Sequence, residues 1–263
     1  MKKILSSVAI LILFFSVTLS NAQTNKNFSF RPEKPKAGET ISITYNPAGS
    51  KLEKAENVSM IVHAYGKTIY YTDEIELKKN DNVWTGEFSA ADTCAGVVLR
   101  FTDGTEFDNN GSKCYPIRFY GQDGKLAKYA SGGLAGGYVG WFGAFGLDPE
   151  AEIAFKLCQE ELALYPSVLK DIFSVYYYAY NVIDKVKAAE FLKTETENFE
   201  KTLTQSEEDL AFLMQRYNNL KNKEKADKTK ELILEKYPTG KQAEMIKFQE
   251  AYGMKDAAKK SEL

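Results

Sequence analysis

The spacing of apolar residues changes partway along this 263-residue chain, and that change constrains its fold more than any motif does. Between Phe28 and Tyr120 apolar positions recur every second residue. In "TISITY" Ile41, Ile43 and Tyr45 share a face, and in "VSMIVHAY" Val58, Met60 and Val62 do. This is the period of a strand, whose successive side chains point to opposite sides. From Asp148 the spacing becomes three and four. "DPEAEIAFKLCQEELALYP" places Asp148 as helix cap and Pro149 in the first turn, sets Ala151, Ala154, Phe155, Cys158 and Leu162 on one face, and stops before Pro166. "SEEDLAFLMQRYNNL" repeats the logic behind Ser206, with Leu210, Leu213, Tyr217 and Leu220 in line.

Further strand candidates in the first part are "IYYTDEIEL", "VWTGEF", "VVLRF" and "YPIRFY", divided by "NPAG" and "KKNDN". About seven short strands with turn signals at this spacing predict an antiparallel β-sandwich of immunoglobulin-like type, without the Cys and Trp hallmarks of antibody domains. Between the two patterns, Tyr129 to Leu147 carry no charge over 19 residues, seven of them glycine. Glycine dilutes the hydrophobicity of this run and permits close backbone approach, so it reads as a tightly packed small-residue helix or turn at an inter-domain junction.

In the helical part, "AFKLCQEELALYP" and "ADKTKELILEKYP" share Ala, Lys, Leu, Tyr and Pro in register, and Pro166 and Pro238 stand 72 residues apart. Half that interval is close to the roughly 34-residue period of tetratricopeptide (TPR) repeats. The expected fold class is therefore an all-β immunoglobulin-like sandwich followed by an all-α TPR-like domain. The expected boundaries are a signal peptide at 1–22, the sandwich at 27–122, a Gly-rich linker or packing helix at 123–147, and a helical array at 148–263. The final "MKDAAKKSEL" carries no stop signal, so the array is expected to be truncated.

The first segment has Lys2 and Lys3, an apolar run from Ile4 to Leu19, and small residues Ser20 and Ala22 spaced for cleavage. It reads as a secretory signal, which places the mature chain in the periplasm or cell envelope with no stable membrane span. A formal charge of -2 offers no basic field for nucleic acid. The hydrophobic and charged fractions, 44% and 27%, are those of an ordinary globular protein.

Cys94, Cys114 and Cys158 are an odd set without C-x-x-C spacing. If residues 97–101 pair with 115–119, Cys94 and Cys114 lie roughly 20 Å or more apart at the rise of a strand, too far to bridge. The single histidine, His63, sits in a strand pattern with no Cys or His at ligand spacing, so it reads as a structural residue rather than a metal ligand. There is no G-x-S-x-G nucleophile elbow. No catalytic residue, cofactor or metal is expected in this chain.

"FTDGTEFDNNGSKCY", Phe101 to Tyr115, is the most polar turn-rich stretch and admits three readings. A calcium loop needs oxygen ligands at alternating positions, whereas Asp108, Asn109 and Asn110 are consecutive. A hairpin turn is served by "TDG" and "NNG", which supply residues tolerant of positive φ and side chains that bond nearby amides. The third is a glycan edge. The stretch resembles the closing hairpin of starch-binding-type and related immunoglobulin-like carbohydrate modules, with Phe107 where those modules often carry Trp. That resemblance implies glycan contacts by Trp84, Asp103, Asp108, Asn109, Asn110 and Tyr115.

A wider resemblance spans the mature chain. "PEKPKAGETISITYNPAGSKL", the small-residue junction, "EELALYP" and "EKYPTG" are similar to the N-terminal half of multidomain cell-envelope thiol-disulfide oxidoreductases, in which a thioredoxin-like C-x-x-C domain follows. The resemblance implies an exported, non-catalytic recognition or scaffold module with a protein or peptide partner in the envelope. Any redox activity would need a downstream thioredoxin-like domain. The alternative function is a carbohydrate-binding protein acting through its β-domain.

Overall fold

The computed structural model describes residues 27–67, 70–140 and 146–261, with side chains of the last helix described through Tyr252. The signal segment expected at 1–22 lies outside the described residues. Among the described residues nine strands come first in the chain: β1 (Phe28–Arg31), β2 (Thr40–Tyr45), β3 (Ser59–Gly66), β4 (Tyr70–Glu76), β5 (Lys78–Asn80), β6 (Val83–Ser89), β7 (Cys94–Thr102), β8 (Phe107–Asp108) and β9 (Tyr115–Arg118). They make two antiparallel sheets, one ordered β1-β2-β6-β5 and the other β4-β3-β7-β8, with β9 also on β7. Ile41, Ile43 and Tyr45 from the first sheet meet Met60, Val62, Val97, Leu99 and Phe101 from the second, as the alternation requires. Each such side chain contributes about 1.5–3 kcal/mol through removal from water.

Strands β3 and β7 do not alternate cleanly, and the fold gives the reason. "MIVHAY" and "CAGVVL" are buried along their whole length, because the second sheet is covered on both faces. The cover is α1 (Ala130–Tyr138), formed from the Gly-rich junction. Tyr65, Ala95 and Val98 on the outer face of the sheet share one core with Leu134, Ala135 and Tyr138 of α1. That same core takes in Ala154, Leu157 and Cys158 of α2 (Ala151–Leu164), together with Ile172, Val175 and Ala179 of α3 (Leu169–Ile183).

The expected fold class needs correction here. An all-β sandwich followed by a separate all-α TPR-like domain would keep two cores apart, yet the outer face of the second sheet and the first three helices bury a single one. The architecture is sheet on sheet on helices, an α+β arrangement. The remaining helices are α4 (Lys185–Thr202), α5 (Glu207–Asn219), α6 (Lys223–Lys236) and α7 (Lys241–Ser261). Across the set, lengths run from 9 residues in α1 to 21 in α7, which one repeating unit does not produce. The two matching segments are the C-terminal portions of α2 and α6, and their surroundings differ. α2 faces the core beside the sheet, whereas Ile233 of α6 packs with Leu210 of α5 and Ile246 of α7.

Helix ends follow local chemistry. Ser206 caps α5, accepting from the Asp209 amide at 3.2 Å. α2 begins two residues after the expected Asp148–Pro149 start, because the Asp148 amide bonds Ser112 O at 2.9 Å and the Glu150 amide bonds Tyr138 O at 2.8 Å.

The glycines of α1 have a steric cause. A Cβ on Gly133 would lie 2.6 Å from Tyr65 Cδ2, and one on Gly132 would lie 2.9 Å from Ile172 Cγ2. In an open helix Gly→Ala stabilises by about 1 kcal/mol. Here Gly133→Ala is expected to destabilise by roughly 1–3 kcal/mol, as overpacking does. Urea unfolding of the two proteins measures the sign, and a higher midpoint for the variant would refute the close-packing account.

Candidate functional site

The polar stretch Phe101 to Tyr115 is built on one strand. β8 and β9 both pair with β7, with Phe101 opposite Asp108 and Leu99 opposite Tyr115, so residues 109–114 form an excursion in one interrupted strand. The excursion turns through left-handed backbone at Asn110, Gly111, Ser112 and Cys114. Glycine adopts that region without penalty and asparagine tolerates it better than most residues.

The polar groups of the stretch are engaged internally. Asp108 Oδ2 accepts from Tyr45 Oη at 2.6 Å and from Tyr115 Oη at 3.0 Å, while its Oδ1 accepts from the Asn110 amide at 2.9 Å. Both phenols are buried, and burial, reinforced by the Asp108 carboxylate, pushes their pKa well above the usual tyrosine value. They therefore stay protonated as donors. Asn109 donates to Gly146 O at 3.1 Å and accepts from the Ser112 amide at 3.1 Å. Asn110 donates to Cys114 O at 3.0 Å. Asp103 is exposed and accepts from the amides of Glu106 and Thr105, which lower its carboxyl pKa. These are the bonds of a self-sufficient turn.

The glycan reading brings Asp108 and Tyr115 together, but as parts of a core hub. Tyr115 is 4% exposed and Trp84, in β6, is 3% exposed, so neither offers a ring face to a sugar. Trp84 is spent between the sheets, with Lys79 Nζ 5.3 Å from its ring. Phe107 is the exposed aromatic of the stretch, with the Arg100 guanidinium 4.5 Å from its centroid.

Redox and metal chemistry find no constellation in the described residues. Cys94, Cys114 and Cys158 are all buried thiols. Burial raises the Cys114 and Cys158 pKa to about 12, which keeps the nucleophilic thiolate away at neutral pH. No group of three or more His, Cys, Asp or Glu is placed to hold a metal ion among the described residues. His63 is buried with Nδ1 2.9 Å from Thr72 Oγ1, and burial, with Arg100 adding to it, lowers its pKa to about 4. A cavity of about 220 Å³ between α4 and the α5–α6 turn is lined by Lys193, Glu197, Glu200, Tyr217 and Lys225, and two of its charges pair, Lys225 Nζ lying 2.7 Å from Glu200.

Two helical features escape the sequence reading. At the first, Glu161 of α2 is 1% exposed and accepts from the amides of Tyr129 at 2.6 Å, Ser131 at 3.0 Å and Gly132 at 3.0 Å, filling the N-terminus of α1. Beside it Arg118 of β9 pairs with Glu160 and donates to Ser131 Oγ at 2.9 Å. The second is apolar surface. Met245, Phe248 and Tyr252 stand 45%, 67% and 61% exposed on α7, while Tyr178, Val182, Ile183 and Val186 crowd the α3–α4 corner. Met245, Phe248 and Tyr252 stand at helical spacing, which alone does not separate a buried face from an open one.

No protein-family model and no curated protein sequence matches the chain. Among the described residues no helix is long and apolar enough to cross a membrane.

Two measurements check the internal assignments. Asp108→Ala strands the buried Tyr115 hydroxyl and leaves Tyr45 Oη with Ser50 Oγ, 3.1 Å away, as its remaining partner, so it is expected to cost roughly 1–3 kcal/mol in denaturant unfolding, as one unsatisfied buried donor does. A loss below 0.5 kcal/mol would mean the hub is not formed. His63 gives the only histidine signal in the spectrum. Its folded pKa lies below the unfolded 6.5, so the neutral ring favours folding above pH 6.5 and that contribution is lost as pH falls towards 4. NMR titration should show a midpoint near 4, and a midpoint near 6.5 would contradict the buried placement.

Proposed function

We propose that the chain is a non-catalytic recognition and scaffold module of the cell envelope, and that its partner is a thioredoxin-like thiol-disulfide oxidoreductase domain. The observation that carries the reading is the apolar face of α7. Met245, Phe248 and Tyr252 follow one another at helical spacing, each substantially exposed, with the rings of Phe248 and Tyr252 5.8 Å apart. Methionine and aromatic residues are the types enriched at protein interfaces, and a contiguous exposed patch of them is a contact surface. Supporting it are the secretory-type start of the sequence, the resemblance to the N-terminal halves of envelope oxidoreductases, and the high-pKa thiols, which suit a module that supports redox chemistry without performing it.

A photo-crosslinking residue placed at position 248 of the full chain, expressed in its native envelope, tests the proposal. The expected adduct contains peptides of a C-x-x-C domain. Phe248→Glu combined with Tyr252→Glu should reduce its yield at least tenfold, the effect of losing about 1.4 kcal/mol of binding. Adducts lacking such a domain would refute the redox link, and an unchanged yield in the double variant would remove α7 from the interface.

A further inference from the structure

The cavity of about 220 Å³ between α4 and the α5–α6 turn opens at the rim of the core that Phe199, Leu213 and Tyr217 share. Its apolar lining is the Tyr217 ring, part of that core, and Leu220, packed against it. Four charges stand around this lining, Lys193, Glu197 and Glu200 of α4 and Lys225 of α6, and they sum to zero. Two are spent on each other, since Lys225 Nζ lies 2.7 Å from Glu200, and it also stands 5.3 Å from the Tyr217 ring. Thr196 and Asn222 are engaged with backbone: Thr196 Oγ1 donates to Leu192 O at 2.6 Å, and Asn222 Oδ1 accepts from the Lys225 amide at 3.1 Å.

Lys193 and Glu197 are left over. They stand one turn apart on α4, yet no ion pair joins them, and neither pairs with another side chain among the described residues. Sequence order accounts for this. A carboxylate one turn before a lysine closes readily, as Glu224 does on Lys228 at 2.8 Å, whereas lysine before carboxylate is the weaker arrangement. The helix therefore presents a cation and a carboxylate to one cavity, with roughly 5–6 Å between their Cβ atoms. Burial, with the Glu200 carboxylate adding to it, pushes the Tyr217 pKa up to about 12, so the phenol stays neutral and adds no further charge.

We propose that this cavity binds a small zwitterion of the α-amino-acid class with an apolar side chain. Lys193 takes its carboxylate, Glu197 takes its ammonium group, and Tyr217 and Leu220 receive the side chain. The volume lies below the roughly 300 Å³ at which pockets for drug-sized ligands begin, so the occupant is small. A lone anion would meet the Glu197 carboxylate and a lone cation the Lys193 ammonium, while a ligand carrying both charges satisfies both. The site goes beyond the α7 interface and does not depend on it, since none of its residues lies on α7.

Proton–nitrogen NMR of the full chain, titrated with L-leucine, reads the site through the amides of residues 193–200 and 217–225. Saturable shifts are expected there, with a dissociation constant on the order of 1 mM, because the charges involved are exposed. N-acetyl-L-leucine lacks the ammonium and L-leucinamide lacks the carboxylate, and each is expected to bind roughly tenfold more weakly, as loss of one charged contact does. Lys193→Gln should abolish the preference for leucine over leucinamide, and Glu197→Gln the preference over N-acetyl-leucine. Each variant is read by a change of preference among probes, which a general loss of stability does not imitate. Absence of saturable shifts in these amides, equal binding of the three compounds, or variants that keep both preferences would overturn the proposal.

Discussion

The Glu161 carboxylate holds the two halves of the molecule together. A helix start leaves backbone amides without partners, and α1 begins inside the protein, where water cannot supply them. Glu161, two turns along α2 from Ala154, accepts three of these amides and is itself stabilised by the positive end of the helix. Its neighbour Glu160 meets Arg118 of β9. Consecutive carboxylates on one helix therefore fix α1 and the sheet against each other, while the α1 glycines let Tyr65 and Ile172 approach closely enough to bury the seam. Tyr65 Oη completes the join by donating to Ala130 O at 2.9 Å.

Polar loops elsewhere follow the same economy of internal satisfaction. Asp108 gathers two phenols and an amide, and Asn109 reaches Gly146 beyond the end of α1. Residues that looked chemical in a linear reading are there to terminate a strand and brace the entry to α2. The most exposed large apolar side chains, Val186, Phe248 and Tyr252, lie on helices instead.

Much of the secondary structure was legible. Alternation located β2 and the inward side of β3, turn chemistry located the 103–106 bend, and Ser206 marked the start of α5. The layer arrangement was not. Two-sided burial of β3 and β7 was encoded in "MIVHAY" and "CAGVVL", but a continuous apolar run has no period that says what covers it. Glu161 was hidden because a glutamate near the C-terminal end of an amphipathic helix normally faces water, and only the geometry of α1 turns it inward. The shared helix-end residues at Pro166 and Pro238 suggested a regular array, whereas they stop two helices that pack in different settings. The candidate loop was located correctly as a turn, but Trp84 and Tyr115 could not be told from surface aromatics until the sheets were closed over them.

Strand β7 belongs to two cores at once. Val97, Leu99 and Phe101 point between the sheets, and Val98 points to the helices. A strand in that position cannot leave one layer without exposing the other. The cooperative unit therefore runs from β1 through α3, across the point where the hydrophobic period changes, and the β part has no separate melting transition to show. Helices α6 and α7, whose small core of Leu210, Ile233, Ala243 and Ile246 is remote from the sheet, form the portion that can open by local fluctuation while the rest remains folded.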